Sequence, residues 1–228
     1  MGYRNESIES VDGKASYNLT DLPLGLNNIS IRLDDSFYES NEFVDSFTIK
    51  SKGTSIAISD LDTVYNSGCE YRVRLTDEDG SPLGGKVLVY TLNNLAGTLV
   101  TDENGEALLN ISLETGTYTF EIRFEGEKVY INSSNNALIT VNTSVLILEE
   151  DYFYGSSYSV KLLNKSSEPL VNHEVMIIIE GETSTVVTDE NGIARVDLDL
   201  VPGRYDVTIV NPDTSEEKYQ AINVLPIG

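Results

Sequence analysis

The pentapeptide Thr-Asp-Glu-Asn-Gly occurs twice in this chain, at Thr101–Gly105 and at Thr188–Gly192, 87 positions apart. Each copy precedes a strictly alternating run: Ala107, Leu109, Ile111 and Leu113 after the first, Ala194, Val196, Leu198 and Leu200 after the second. Period-two alternation is the mark of a strand with one buried face. An identical turn at a fixed spacing marks a repeated module. Asp and Asn fold their side chains onto nearby amides, and Gly takes positive φ without steric cost. The pentapeptide is therefore expected to be a hairpin reversal between two paired strands.

Glycines extend the alignment. Gly13, Gly105 and Gly192 each follow an acid or amide and are expected to open a strand; Gly25, Gly116 and Gly203 open the next one. That next strand alternates Tyr118, Phe120, Ile122 and Phe124 in the second copy, Tyr205, Val207 and Ile209 in the third, and Ile29, Ile31 and Leu33 in the first. Upstream, Tyr71, Val73 and Leu75 match Tyr158, Val160 and Leu162. Nothing beyond ten residues has a helical period, so the chain reads as all-β: tandem β-sandwiches of short strands and Asp/Asn/Gly turns. The expected divisions are 1–51, the C-terminal half of one repeat, then 52–144 and 145–228, each a whole repeat. The run ALITVNTS passes straight into VLILEE, and so short a junction predicts a stiff, rod-like stack.

Composition narrows the function. The 228 residues carry 37 acidic and 15 basic side chains, a formal charge of -22. Such a surface repels phosphate backbones and anionic headgroups, which argues against nucleic acid and membrane surfaces as partners. Cys69 is the one cysteine, so no intramolecular disulfide forms, and its expected role is a small buried side chain. No apolar run reaches the roughly 18 residues of a membrane span, and MGYRNESIES lacks the apolar core of a signal peptide. The chain is read as a fragment whose signal and anchor lie elsewhere in its parent.

Residues 71–133, YRVRLTDEDGSPLGGKVLVYTLNNLAGTLVTDENGEALLNISLETGTYTFEIRFEGEKVYINS, resemble the Ig-like repeats of bacterial and archaeal surface proteins. The order is a strand, an Asp-x-x-Gly-x-Pro-x-x-Gly turn, a Val-rich strand, the TDENG turn, then Gly-x-Tyr. The sequence is most similar to adhesin-like proteins of methanogenic archaea, whose repeats continue into Gly-x-x-x-Tyr-x-x-Ser, here Gly126, Tyr130 and Ser133. The third repeat departs at NKSSEPLVN, where Ser167 and Asn172 replace both glycines of the first turn, and the first segment has Asn27 in place of Tyr118 and Tyr205. The resemblance implies tandem Ig-like sandwiches in an extracellular, cell-surface adhesin-like protein, acting as stalk or as ligand-binding repeats. The partner so implied is a protein or glycan on another cell. An alternative is an accessory Ig-like array of a secreted enzyme whose catalytic domain lies outside this chain.

Catalytic signals are weak. The one histidine, His173, opens an apolar strand without a Ser/Asp pattern suggesting a triad, and there is no CxxC, HExxH or phosphate-cradling glycine loop. Neither Asp77-Glu78-Asp79 nor Asp102-Glu103-Asn104 has the spacing of a calcium loop. No enzyme, cofactor or metal is expected. Three features remain open. In HEVMIIIE both strand faces are apolar, and Met176 and Ile178, with Val89 as repeat-two counterpart, point outward; they either pack under another element or form a partner-binding patch. Asn-x-Ser/Thr sequons occur at Asn5, Asn18, Asn28, Asn110, Asn132, Asn142 and Asn164, and are either glycan acceptors or ordinary surface asparagines. The first 51 residues present an uncovered row of Tyr17, Leu19, Ile29, Ile31 and Leu33, which predicts a homo-oligomer formed through that half-repeat.

Overall fold

The computed structural model describes residues 5–39 and 41–227. Their secondary structure is strand without helix, in two compact units: residues up to Gly53 with Gly126–Ile131, and Thr54–Glu125 with the residues from Asn132 onward.

The first unit contains one antiparallel pair, β1 (Gly25–Arg32) and β2 (Glu42–Ile49). Lys52 joins the loop 126–131 in this unit: its amide donates to the Val129 carbonyl (2.6 Å), and Ile131 donates to the Lys52 carbonyl (2.8 Å). The strand expected after Gly13 is absent; residues 15–20 are irregular, and Tyr17 and Leu19 are exposed. In the two sandwiches that follow, that strand exists by pairing with an upstream strand, and the described residues of this unit contain no such partner. Along β1 and β2 one face carries Ile29, Ile31, Phe43, Phe47 and Ile49. Ile31 and Phe43, directly opposite each other, are 55% and 60% exposed.

The second unit begins with β3 (Thr54–Ala57), β4 (Leu61–Val64), β5 (Glu70–Asp77), β6 (Val87–Leu92), β7 (Leu95–Val100), β8 (Glu106–Asn110), β9 (Gly116–Phe124) and β10 (Ser133–Asn142). They form a three-stranded sheet, β3-β5-β8, and a five-stranded sheet, β4-β10-β9-β6-β7. The pattern recurs in β11 (Val145–Ile147), β12 (Asp151–Phe153), β13 (Ser157–Leu162), β14 (Glu174–Ile179), β15 (Glu182–Val187), β16 (Ile193–Asp197), β17 (Gly203–Val210) and β18 (Glu217–Leu225). Here the sheets are β11-β13-β16 and β12-β18-β17-β14-β15. The chain is thus all-β, built of Ig-like sandwiches. The alternating positions meet in the cores: Tyr71, Val73, Leu75, Phe120, Ile122 and Ile139 in one, Tyr158, Val160, Leu162, Val175, Ile177 and Ile209 in the other. Tyr71 and Phe120 pack edge to face at 5.2 Å. Burial raises the phenol pKa of Tyr71 and Tyr158.

TDENG is not a hairpin. The strand before it, β7, pairs with β6, and the strand after it, β8, pairs with β5 in the opposite sheet; the pentapeptide carries the chain between sheets. Thr101 is buried and anchored: its amide donates to the Lys86 carbonyl (3.0 Å), its hydroxyl to the Leu83 carbonyl (2.6 Å), and its carbonyl accepts from Gly85 (2.7 Å). Asp102 Oδ1 accepts from the amides of Asn104 (2.8 Å) and Glu106 (2.9 Å), and the Glu106 amide leads the causes that lower its pKa. The second copy repeats this: the Thr188 amide donates to the His173 carbonyl (3.0 Å), and Asp189 Oδ1 accepts from Asn191 (2.9 Å) and Ile193 (3.0 Å). Arg195 pairs with Asp189 at 2.6 Å and is the first cause of its lowered pKa. The glycine that ends each corner presses against the opposing sheet at positive φ. A methyl group on Gly192 would stand 2.6 Å from the Leu162 carbonyl oxygen, and one on Gly105 would overlap that of Leu75.

Gly-x-Tyr is a second corner. The Tyr118 hydroxyl donates to the Glu114 carbonyl four residues back (2.9 Å), and Tyr205 does the same to Val201 (2.7 Å). Asn27 keeps the bond with a different side chain, its Nδ2 donating to the Pro23 carbonyl, again four residues back (2.9 Å).

Between β10 and β11 lie Thr143 and Ser144, and the loop from β17 to β18 closes over them. Glu216, 6% exposed, accepts from the Thr143 hydroxyl (2.6 Å), the Ser144 amide (2.6 Å) and the Ser144 hydroxyl (2.7 Å). Asn211, fully buried, donates to the carbonyls of Ser144 (3.2 Å) and Leu163 (2.8 Å). From the turn after β4, Asn66 Nδ2 reaches the Thr214 carbonyl at 2.8 Å. A buried carboxylate is tolerated only where donors replace its lost hydration, and this one is met by neutral donors belonging to the linker.

Two stability predictions follow from these contacts. Gly192→Ala combines a positive-φ penalty with overlap against backbone, so it should destabilise by about 2–4 kcal/mol; a thermal melt within 1 °C of the parent contradicts the sheet-switching geometry. Glu216→Ala strands the Ser144 amide and removes an acceptor from the Thr143 and Ser144 hydroxyls, and should cost roughly 1–3 kcal/mol, read as a lower urea midpoint at unchanged slope. An unchanged midpoint removes the network from any stabilising role.

Candidate functional site

The outer face of the β12-β18-β17-β14-β15 sheet is set by register. Val175 and Ile177 of β14 enter the core, so Met176 and Ile178 point away from it. Met176 lies between Thr185 of β15 and Val210 of β17, and Val210 stands beside Glu217 of β18. The neighbouring row runs Thr183, Ile178, Thr208, Tyr219. Val187 extends the face along β15, opposite Glu174. Met176 is 42% exposed, Val187 54% and Tyr219 71%, while Ile178 and Val210 are half-buried by their neighbours. The Tyr219 hydroxyl donates to Glu217 (2.8 Å), and this bond raises its pKa.

The equivalent face of the preceding sandwich is chemically different. Val89 stands between Thr98 and Arg123, and Thr91 between Ala96 and Glu121. Arg123 pairs with Glu125. Where that sheet places a cation and an anion at its centre, the later sheet has Val210 and Thr208. By sequence position Val89 is the counterpart of Met176 and a candidate for the same patch as Met176 and Ile178. The fold separates Val89 from them, in a half-buried setting beside Arg123. It also adds Val187, Val210 and Tyr219, which periodicity alone did not nominate because they come from three other strands.

His173 is exposed, its Nδ1 donating to the Val171 carbonyl at 2.8 Å. It borders an open hollow with Lys165 and Asp213, where Asp213 Oδ2 is engaged by the Lys165 amide (2.7 Å). Cys69 is half-buried, a departure from the buried role expected of it, because it lies in the connection immediately ahead of β5. Tyr152 is buried against Tyr158, their rings 5.5 Å apart, while Phe153 and Tyr154 are exposed. Among the sequons, Asn5, Asn18, Asn28, Asn110, Asn132 and Asn142 are exposed and Asn164 is half-buried. The Asn142 amide is bonded to Asp62, and Asn164 Oδ1 accepts from the Ser166 and Glu168 amides. Among the described residues no group of three or more His, Cys, Asp or Glu is placed to hold a metal ion.

The family model for macroglobulin domain MG4 matches residues 56–145, an Ig-like, non-catalytic domain type. No curated protein sequence matches the chain. Among solved structures it is similar to a protein of the Bacteroides ovatus mixed-linkage glucan utilization locus, in complex with a mixed-linkage heptasaccharide (12% identity, 90% of this chain and 54% of that one, TM-score 0.30). The chain thus spans about half the length of that protein. A 1.5-MDa bacterial ice-binding adhesin is similar at 14% identity, over 89% of this chain and 75% of that one, with a TM-score of 0.35. Invasin, a bacterial integrin-binding protein, is similar at 19% identity, over 76% of this chain and 39% of that one, with a TM-score of 0.30.

Proposed function

We propose that the chain is part of an extracellular, cell-surface adhesin-like protein, with repeats divided near residues 51 and 144, and that its last sandwich binds a ligand on another cell. The observation that carries this is the outer face around Met176. Two sandwiches share their turns, corners and core positions, yet the later one has Val210 and Thr208 where the earlier has Arg123 and Glu121, and sets beside them Met176 and Ile178 where the earlier has Val89 and Thr91. A spacer gains nothing from that exchange, since exposed apolar side chains lower solubility without adding to the core. The six exposed sequons are consistent with glycan attachment at Asn5, Asn18, Asn28, Asn110, Asn132 and Asn142.

The first unit supports a further proposal, that isolated copies of this chain associate through β1 and β2. Their apolar face stands open where its counterparts in the next sandwich, Phe120, Ile122, Ile139 and Val141, are buried. Covering such surface yields about 25 cal/mol per Å², and unpaired strand edges invite pairing.

Two measurements test these readings. In a whole-cell and glycan-array screen, the chain should bind reproducibly, and Met176→Thr with Ile178→Thr should abolish binding; absence of binding by the unaltered chain leaves a stalk as its role. In light scattering, the whole chain should be an oligomer and a chain beginning at Lys52 a monomer. A monomer in both cases ends the association proposal, and a dimer in both moves the interface elsewhere.

A further inference from the structure

We infer that the face around Met176 receives the flat, apolar sheet surface of a second protein whose flanks are basic. This rests on the reading of that face as a binding surface and adds the chemistry of its partner. The centre is neutral: Met176, Ile178, Val210 and Thr208 occupy adjoining positions on β14 and β17. Acids bound it at both ends. Glu174 and Glu217 stand at one end, beside Val187 and Val210. Asp206 and Glu180 stand at the other, tied together by the Asp206 amide donating to Glu180 Oε1 (3.0 Å). Arg204, two residues beyond Asp206 along β17, is the nearest cation of that face, at its far margin.

This arrangement decides among occupants. A second copy of the same face brings its own acids opposite Glu174, Glu217 and Asp206, within a chain that already carries -22, and like charges juxtaposed at an interface are costly. A glycan ordinarily needs several aromatic platforms and convergent polar groups, and Tyr219 is the one aromatic residue in the two central rows. A protein sheet with an apolar centre meets the neutral rows at the usual sheet-on-sheet spacing of about 10 Å, and lysine or arginine at its ends meets the four acids. The apolar centre then supplies affinity, and the acidic margins orient the partner and speed its arrival.

The test uses the whole chain and a disulfide-closed β-hairpin peptide presenting Val, Ile and Tyr on one face between terminal Lys/Arg pairs. Its control is the same hairpin with Glu in place of the basic residues. Calorimetry should detect binding of the basic hairpin alone. Met176→Thr with Ile178→Thr, which leaves the charge unchanged and places a β-branched residue suited to a strand at both positions, should weaken it at least tenfold with the melting transition retained. Val89→Thr should leave it unchanged. Equal binding by parent and double variant reduces the effect to general attraction by an acidic surface and overturns the inference. So does binding of the Glu-ended hairpin, a dimer of the chain lost in the double variant, or failure of the parent to bind the basic hairpin. If cells or a glycan array bind the parent and not the double variant while the hairpin does not bind, the binding face stands and the partner chemistry is wrong.

Discussion

Each sandwich depends on a chain segment that must pass from one sheet to the other without leaving a buried amide unpaired. A backbone group buried without a partner costs about as much as a lost hydrogen bond, so the crossing needs donors and acceptors of its own. Thr101 and Thr188 bond the start of the crossing to the loop before β6 and to the residue before β14. The carboxylates of Asp102 and Asp189 take up the amides inside it. A glycine then passes flush against the carbonyl of Leu75 or Leu162. With the crossing fixed, β8 and β16 arrive in register against β5 and β13, and the alternating side chains close both cores. The first unit shows the converse. Residues 15–20 carry the same alternation but form no strand, and among the described residues of that unit no partner ladder receives them.

Local chemistry was legible in the amino-acid sequence and pairing was not. That TDENG is a turn follows from what Asp, Asn and Gly do to a backbone. Whether it joins neighbours in one sheet or crosses between two depends on which strands β7 and β8 pair with, and both partners are non-local. The same limit explains the face around Met176. Period two shows that Met176 and Ile178 point outward, but Val187, Val210 and Tyr219 join them only through register. Comparing Arg123 with Val210 and Glu121 with Thr208 across the repeats was the signal that could have found the change. Asn27 looked like a departure from Gly-x-Tyr, yet a short amide reaches the same carbonyl four residues back that a tyrosine hydroxyl reaches. Glu216 gave no warning, since an acid in NPDTSEE is ordinary loop composition until the loop is seen to close over Ser144.

These features separate what the two sandwiches share from what distinguishes them. Corners, tyrosine bonds and core alternation recur, as befits a module copied for its fold. The polar network around Glu216 belongs to the connection and holds its linker through hydrogen bonds to neutral groups. The exchange of charge for apolar and hydroxyl side chains belongs to the later sandwich alone. It sits where neither the core nor the linker requires it.

Binding at this face requires that it stand open to solvent, and hydroxyl-radical footprinting read by mass spectrometry measures that exposure residue by residue. An open face gives rapid oxidation of Met176 and Tyr219, with Tyr152 and Tyr158 protected in the core. Protection of Met176 to the level of Tyr158 would show the face covered and unable to serve as a binding surface.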